Sequence, residues 1–201
     1  MYSFFLGLDL AQAQDYTALV VVERKEFRYK AKPDEYHIRH LERPKLGTPY
    51  PAIVEKVQDL MQSPQLLNRT ALVVDATGVG RPVVDLFRKA GLRPVAITIT
   101  GGNTVTAGGG GYHVPKRDLV STLQVLFQTG RLKVAGDLKL APVLVEELLN
   151  FKVKINVKTA HDSYEAWREG IHDDLVLAVA LACWYGERHK KMTPVPKPAG
   201  W

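Results

Sequence analysis

The sequence predicts an α/β domain with a mixed central β-sheet of about five strands, a small additional hairpin, and helices on both faces of the sheet. Short apolar runs rich in β-branched residues alternate with segments in which apolar residues recur at helical spacing. Two of the apolar runs end in an aspartate. A glycine-containing turn also leads directly from a strand into a helix, as in a parallel crossover unit.

The composition is that of one globular domain. Hydrophobic residues make up 46% and charged residues 24% of the 201 residues, and no apolar run approaches the length that spans a bilayer. Cys183 is the single cysteine, which excludes an internal disulfide and fits a reducing compartment. The net charge of +6 and the pI near 9.4 are compatible with a polyanionic partner.

The predicted elements follow in chain order. Strands are predicted at residues 2–9, 17–23, 36–41, 71–75 and 95–99. Helices are predicted at residues 49–61, 83–90, 115–130 and 140–150, and a last helix opens at residue 173. Residues 1–188 are expected to form one domain, followed by a flexible, basic and proline-rich tail at residues 189–201.

Two regions carry weaker patterns. Residues 101–111 contain six glycines and are predicted to be a mobile loop that orders over a ligand. Residues 151–157 and 163–167 are predicted to pair as a hairpin. Its lysines alternate in part onto one side of a strand, which suits a surface that faces DNA or one that faces solvent: Lys152, Lys154 and Lys158.

Two predicted strands end in aspartates, Asp9 and Asp75. Parallel neighbours in an open sheet place their carboxyl ends at the same edge, where such folds bind ligands, so we expect these carboxylates to lie together. Because side chains alternate between the two faces of a strand, Gly7 lies on the same face as Asp9. Gly7 has no side chain, which leaves room beside the Asp9 carboxylate. Either aspartate alone could instead be an ordinary residue of a turn.

The last helix opens with Asp173 and Asp174 and continues as an almost wholly apolar segment that must be buried. Asp174 shares its helical face with Ala178 and Ala182, whose small size permits close approach to the sheet. Asp174 is therefore the expected inward ligand of a cation, and Asp173 is either a second ligand or a helix cap. His172 is a weaker candidate for a supporting role.

Three or four clustered carboxylates need cations, and hard oxygen ligands suit Mg²⁺ or Mn²⁺. Two such ions would serve the hydrolysis of a phosphodiester, so the pattern predicts a nuclease site formed by Asp9, Asp75 and Asp174. Lys116 and Arg117 open a helix, where the dipole disfavours cations unless an anion is near, and a DNA phosphate would supply that anion. A solvated basic turn is the alternative for these two residues.

Three ordered motifs resemble the C-terminal nuclease domain of the large terminase subunit of tailed bacteriophages. They are residues 7–11 (Gly-Leu-Asp-Leu-Ala) with Asp15 and Thr17, residues 75–80 (Asp-Ala-Thr-Gly-Val-Gly), and residues 170–174 (Gly-Ile-His-Asp-Asp). The resemblance implies the RNase H-like fold shared with Holliday-junction resolvases. It also implies that Asp9, Asp75 and an aspartate of the Asp173-Asp174 pair bind two divalent metals, with Asp15 in a supporting role.

The implied activity is cleavage of double-stranded viral DNA during genome packaging, with little sequence specificity, in the cytoplasm of the host. Expected partners are double-stranded DNA, a terminase ATPase motor domain, the small terminase subunit and the portal, and no membrane. The chain contains no Gly-x-x-x-x-Gly-Lys-Ser/Thr sequence, so ATP hydrolysis is not assigned to it. It is expected to be either a nuclease domain alone or a stand-alone relative.

Three alternatives remain open at this point. A junction resolvase or an RNase H-like enzyme would use the same carboxylate site. An actin-like or sugar-kinase-like nucleotide-binding protein has similar glycine-aspartate motifs, but it needs a duplicated second domain that 201 residues are too few to form. A non-catalytic DNA-binding module would need the basic surface without the aspartates.

Overall fold

A computed structural model describes residues 3–11, 15–27, 32–78, 80–157 and 173–189. Their elements are, in chain order, β1 Phe4–Asp9, β2 Ala18–Lys25, β3 Glu35–Glu42, α1 Tyr50–Gln62, β4 Thr70–Asp75, α2 Gly80–Lys89, β5 Val95–Thr100, β6 Thr106–Gly108, β7 Gly111–Pro115, α3 Lys116–Gln128, β8 Leu132–Val134, α4 Ala141–Val157 and α5 Asp174–Arg188. Among the described helices there is no candidate for a membrane span.

All the described strands form one mixed sheet in the order β6-β7-β5-β4-β1-β2-β3-β8. The strands β1, β4, β5 and β7 run parallel to one another. Because β2 is antiparallel to both β1 and β3, the strand β3 also runs in the direction of β1. The carboxyl ends of β1, β3 and β4 therefore lie at one edge of the sheet.

The predicted mixed sheet with helices on both faces is confirmed, but it has eight strands rather than about five. The additional strands β6, β7 and β8 are only three to five residues long, so they carry little periodicity. The predicted loop at residues 101–111 is wrong in part, because β6 and the start of β7 form an antiparallel hairpin there. A Cβ on Gly111 would lie 2.1 Å from the Ala96 carbonyl oxygen, so the glycine permits close pairing with β5.

The hairpin predicted from residue 151 is also wrong where the structure describes it. Residues 151–157 are the last turns of α4, and residues 158–172 lie outside the described residues. The segment has a strand-like alternation, but it follows a helix without an intervening glycine or proline, so the helix propagates through it. A helix does not repeat every two residues, and the alternation argument for Lys152 and Lys154 therefore does not apply.

Separate apolar cores lie on the two faces of the sheet. One contains Leu6, Leu8, Leu72 and Val74 with apolar residues of α1 and α2. The other contains Phe5, Ala71 and Val73 with residues of α3, α4 and α5. Because side chains alternate along a strand, Gly7 and Asp9 follow Phe5, and Asp75 follows Val73, onto the face that α5 covers.

Helix α5 is the most buried helix that the structure describes. It packs against β1, β2 and β4 on one side and against α3 and α4 on the other. Every residue from Asp174 to Gly186 except Leu177 is buried, which explains why the segment is apolar around its whole circumference. Cys183 is fully buried within it, and burial raises the pKa of its thiol well above the ordinary range.

Two buried arginines hold the carboxyl end of α5. Arg24 donates hydrogen bonds to the carbonyl oxygens of Gly186 (2.8 Å) and His189 (3.2 Å), which satisfies acceptors that the helix cannot pair internally. Arg131 forms a two-pronged ion pair with Glu187, with nitrogen-oxygen distances of 2.6 and 3.3 Å. These contacts fix the axial position of α5, and therefore the position of its first turn at the opposite end.

Candidate active site

Asp9 and Asp75 end neighbouring parallel strands. The pairing of β1 with β4 runs from Phe4 opposite Thr70 to Leu8 opposite Val74. One further residue in the same register brings Asp9 beside Asp75, at the strand spacing of about 5 Å. Asp75 is buried and Asp9 is half-buried. The strand register therefore brings the two carboxylates together at one edge of the sheet, as expected.

The carboxylate of Asp75 is oriented by the turn that follows it. Its Oδ1 accepts hydrogen bonds from the backbone N–H of Thr77 (2.8 Å) and from the Thr77 hydroxyl. The same hydroxyl oxygen accepts a bond from the backbone N–H of Ile99 in β5 (2.8 Å). Thr77 thus connects the carboxylate to the neighbouring strand, and it holds the side chain in one orientation.

Gly7 allows α5 to lie directly on the sheet beside Asp9. A Cβ at Gly7 would be 1.9 Å from the carbonyl oxygen of Ala178 and 3.2 Å from the Cβ of Ala182. The predicted contact between the small residues of α5 and this strand is thereby confirmed. It brings the first turn of α5, which carries the buried Asp174, toward the edge where Asp9 and Asp75 lie.

Asp174 forms part of a buried charge cluster that also contains Arg43 and Glu147. The Nη2 atom of Arg43 lies 3.1 Å from Oδ2 of Asp174 and also contacts Oε1 of Glu147. The aromatic ring of Tyr16 lies beside the same guanidinium, 5.5 Å from ring centre to Cζ. All three side chains of the cluster are at most 15% exposed, so their interactions are only weakly screened by solvent.

Glu147 also caps α5. Its Oε2 accepts a hydrogen bond from the backbone N–H of Val176 (3.1 Å), which belongs to the first turn and has no acceptor within the helix. Asp173 occupies the N-cap position, but its side chain forms no capping hydrogen bond within the described structure. Burial raises the pKa of Glu147 to about 7, although Arg43 and the Val176 N–H act in the opposite direction.

Three other predicted site residues, Asp15, Lys116 and Arg117, are not part of this cluster. Asp15 is exposed in the connection from β1 to β2, which leaves the sheet at the edge where Asp9 lies. Lys116 and Arg117 begin α3 directly after β7, whose carboxyl end faces the same way as that of β1. Arg117 donates a hydrogen bond to the carbonyl oxygen of Asn103 (2.8 Å), so it also fixes the connection after β5.

Four predicted residues have side chains that are not described in the structure. His172 and Lys158 lie outside the described residues, as do residues 190–201 of the predicted tail. Lys152 and Lys154 belong to the last turns of α4. For Lys152, Lys154, Lys158 and His172, the proposed contacts with DNA or the active site remain predictions.

Sequence reasoning missed Glu147, Arg43 and Thr77. A signal for Glu147 was available, because it falls on the helical face of Leu144 and Leu148, where a carboxylate is out of place. Arg43 directly follows β3, a strand parallel to β1, so the same-edge argument used for the aspartates also applies to it. Thr77 belongs to a recognised motif but had no assigned role there.

The donor set suits a hard divalent cation, since Asp9, Asp75, Asp173 and Asp174 offer carboxylate oxygens at one edge of the sheet. The guanidinium of Arg43 already places a positive charge against one of them. Within the described ranges, however, no three histidine, cysteine, aspartate or glutamate side chains lie close enough together to hold one metal ion. Metal binding by these aspartates therefore stays a prediction.

Residues 6–184 match the family described as the terminase RNase H-like domain. The chain belongs to this family. The match extends from β1 to the last turns of α5, and so it includes all four aspartates of the sheet edge. No protein among the curated sequences compared matches the chain.

Solved structures support the fold of this RNase H-like domain. The large terminase nuclease from the thermophilic phage G20c superposes with a TM-score of 0.57 at 20% identity, covering 89% of this chain and 80% of the other. A manganese-soaked human cytomegalovirus terminase nuclease domain gives 0.53 at 18% identity, covering 89% and 80%. A second structure of the cytomegalovirus domain gives 0.51 at 17% identity, covering 90% and 83%. At these identities the likeness establishes the RNase H-like fold.

Proposed function

We propose that this domain is a metal-dependent endonuclease that cleaves double-stranded DNA during viral genome packaging in the host cytoplasm, with little sequence specificity. The observation that carries the proposal is the convergence of Asp9, Asp75 and the first turn of α5 at one sheet edge. In a chain of the terminase family, this arrangement suits phosphodiester hydrolysis. The proposal agrees with the similarity of the fold to terminase nucleases from a phage and from cytomegalovirus.

In this proposal Asp9, Asp75 and Asp174 hold two divalent cations, Mg²⁺ or Mn²⁺, and Asp173 is a further ligand. Bound cations of this type supply an activated water and neutralise the charge on the leaving oxygen of a phosphodiester. The chain itself provides preorganisation. Thr77 orients the carboxylate of Asp75, while Gly7 and the cap on Val176 fix the first turn of α5.

DNA binding is proposed to involve basic residues around the same edge. Lys116 and Arg117 begin α3 beyond the carboxyl end of β7, where the helix N-terminus favours a phosphate. Lys152, Lys154 and Lys158 are proposed to extend this surface. An ATPase motor domain, the small terminase subunit and the portal are proposed as partners in packaging, because the chain belongs to a terminase family.

Plasmid digestion with Mg²⁺ or Mn²⁺ tests the proposed activity. We expect Asp9→Asn, Asp75→Asn and Asp174→Asn each to reduce the cleavage rate by more than about 100-fold, because each removes a charged ligand. Asp59→Asn is the matched control, since Asp59 is an exposed aspartate on α1, which packs on the other face of the sheet. Undiminished cutting by all three site variants would refute the proposed site.

The substrate can be tested separately from the site. Linear duplex DNA, a four-way DNA junction and an RNA–DNA hybrid are digested in parallel under the same metal conditions. We expect the duplex to be cut at least as well as the other substrates. Preferential cutting of the junction or the hybrid would instead assign the chain to a resolvase-like or RNase H-like activity.

A further inference from the structure

Arg43 is a cation within the proposed metal site. It follows β3 at the edge where β1 and β4 end, and its Nη2 atom contacts carboxylate oxygens of both Asp174 and Glu147. A cation bound at Asp174 and a guanidinium 3.1 Å from the same carboxylate would repel each other across a poorly solvated space. Engagement of Asp174 by Arg43 therefore weakens the engagement of the same carboxylate by a divalent cation.

Glu147 offers the guanidinium an alternative partner. Its Oε1 contacts Arg43, and its Oε2 is fixed by the backbone N–H of Val176. Glu147 projects from α4, so it is a second carboxylate partner for the guanidinium on an element other than the one that carries Asp174. The Nε atom of Arg43 is buried and has no hydrogen-bond partner among the described residues, which leaves that donor without a bond holding the guanidinium in its present orientation.

We propose that Arg43 is an internal counter-cation of Asp174 that divalent metal displaces toward Glu147, so that Arg43 and Glu147 together set the metal affinity. This inference rests on the proposed function, because it takes Asp174 as a metal ligand. Arg43 competes with the metal for the carboxylate. Glu147 favours metal binding because it retains the displaced guanidinium. Both are positioning residues, since they act through Asp174.

The inference predicts effects of opposite sign for two variants of one buried cluster. In Arg43→Gln the competing charge is gone, and Mn²⁺ should bind about tenfold more tightly. In Glu147→Gln the guanidinium has only Asp174 as its carboxylate partner in the cluster, and Mn²⁺ should bind about tenfold more weakly. A merely structural role would weaken binding in both variants, because loss of either partner would disturb the same turn of α5.

Mn²⁺ affinity is measured on the full chain by electron paramagnetic resonance of the unbound ion, without DNA. Arg39→Gln is the control for charge, since Arg39 lies on β3, the strand that Arg43 follows, and pairs with Glu23 outside the cluster. Arg88→Gln is the control for breaking an arginine-carboxylate pair, because its pair with Asp85 lies on α2, which packs on the other face of the sheet. Both controls should keep the affinity within about twofold of the wild type.

The outcomes separate this inference from the proposed function. Tighter binding by Arg43→Gln together with weaker binding by Glu147→Gln supports the counter-cation role. Equal affinities in the wild type and both variants, or a loss in both, would overturn it while leaving a metal centre intact. A wild type and an Arg43→Gln variant that both fail to bind Mn²⁺ would overturn the metal centre as well.

A second readout follows Arg43 itself. The side-chain Nε–H resonance of Arg43, assigned by its loss in Arg43→Gln, should shift as Mg²⁺ is added, because the guanidinium changes its surroundings. The Arg131 resonance should stay in place. A stationary Arg43 resonance in a sample that binds Mg²⁺ would contradict displacement, whatever the affinities of the variants.

Discussion

At the scale of single residues, the site depends on side chains that hold the carboxylates rather than on the carboxylates alone. Thr77 uses its hydroxyl twice, donating to Asp75 and accepting from Ile99. Glu147 likewise accepts from Arg43 and from Val176. Thr77 therefore connects the carboxylate of Asp75 to β5. Glu147 connects Arg43, which contacts Asp174, to the first turn of α5. The alignment of the site is therefore shared between the sheet and two helices.

Replacing Thr77 tests this dependence. Thr77→Val keeps the shape and the backbone N–H but removes the hydroxyl, so Asp75 loses one donor and the Ile99 N–H loses its acceptor. We expect a loss of about 1 kcal/mol in the free energy of unfolding and a roughly tenfold loss in cleavage rate. Thr77→Ser retains the hydroxyl and should stay near the wild type in both measurements. An equal loss of cleavage in both variants would contradict the orienting role.

Glu147 should make stability depend on pH. Its pKa in the folded chain is about 7, above the ordinary value of 4.5 for a glutamate in the unfolded chain. Between these values the folded state binds the additional proton, so this contribution to stability is fully present below pH 4.5 and is lost as the pH rises through 7. Urea unfolding with a chelator present should show the wild type losing on the order of 2 kcal/mol relative to Glu147→Gln between about pH 5 and pH 8.

At the scale of elements, the position of α5 relative to β1 governs the site. The helix lies on Gly7 so closely that the carbonyl of Ala178 occupies the space of a Cβ. The opposite end of the helix is held by Arg24 and Arg131. A helix fixed along its axis and pressed against the sheet presents Asp174 at a defined place.

Gly7→Ala tests the contact between the helix and the sheet. The added methyl group meets the backbone of a buried helix, which cannot yield as a flexible side chain would. We expect a loss of about 3 kcal/mol in the free energy of unfolding, with reduced Mn²⁺ affinity because the first turn of α5 is displaced. Gly136→Ala is the control, since nothing lies within 4 Å of a Cβ there. Wild-type stability and affinity in Gly7→Ala would show that α5 tolerates displacement.

At the scale of the whole molecule, the long elements were predictable because their patterns are strong. The strands that end in Asp9 and Asp75, and the uniformly apolar helix after Asp174, follow from local periodicity and burial. The short strands β6 and β8 were not predictable, because three residues paired to a neighbour carry almost no periodic signal. Residues 151–157 were misassigned because tertiary context and helix propagation outweighed their β-branched alternation.

The candidate site was predictable to a similar degree. Aspartates at strand ends converge by a topological rule that needs no coordinates, and the small residues of α5 indicated its contact with Gly7. The Arg43–Glu147 contact joins residues 104 positions apart, from a loop and a helix. No local pattern encodes such a pairing. The pairing depends on the position of α4 relative to α5, and that position is set only by the packing of the whole core.

The sheet ends on both sides in very short strands. Of the described strands, β6 and β8 are the outermost, and each is three residues long. An edge strand that brief offers few backbone groups for pairing with another chain, and short edges are one means by which proteins avoid joining sheets end to end. A high local concentration of this domain would therefore favour little association through its sheet, because the outermost strands expose few backbone groups that can pair.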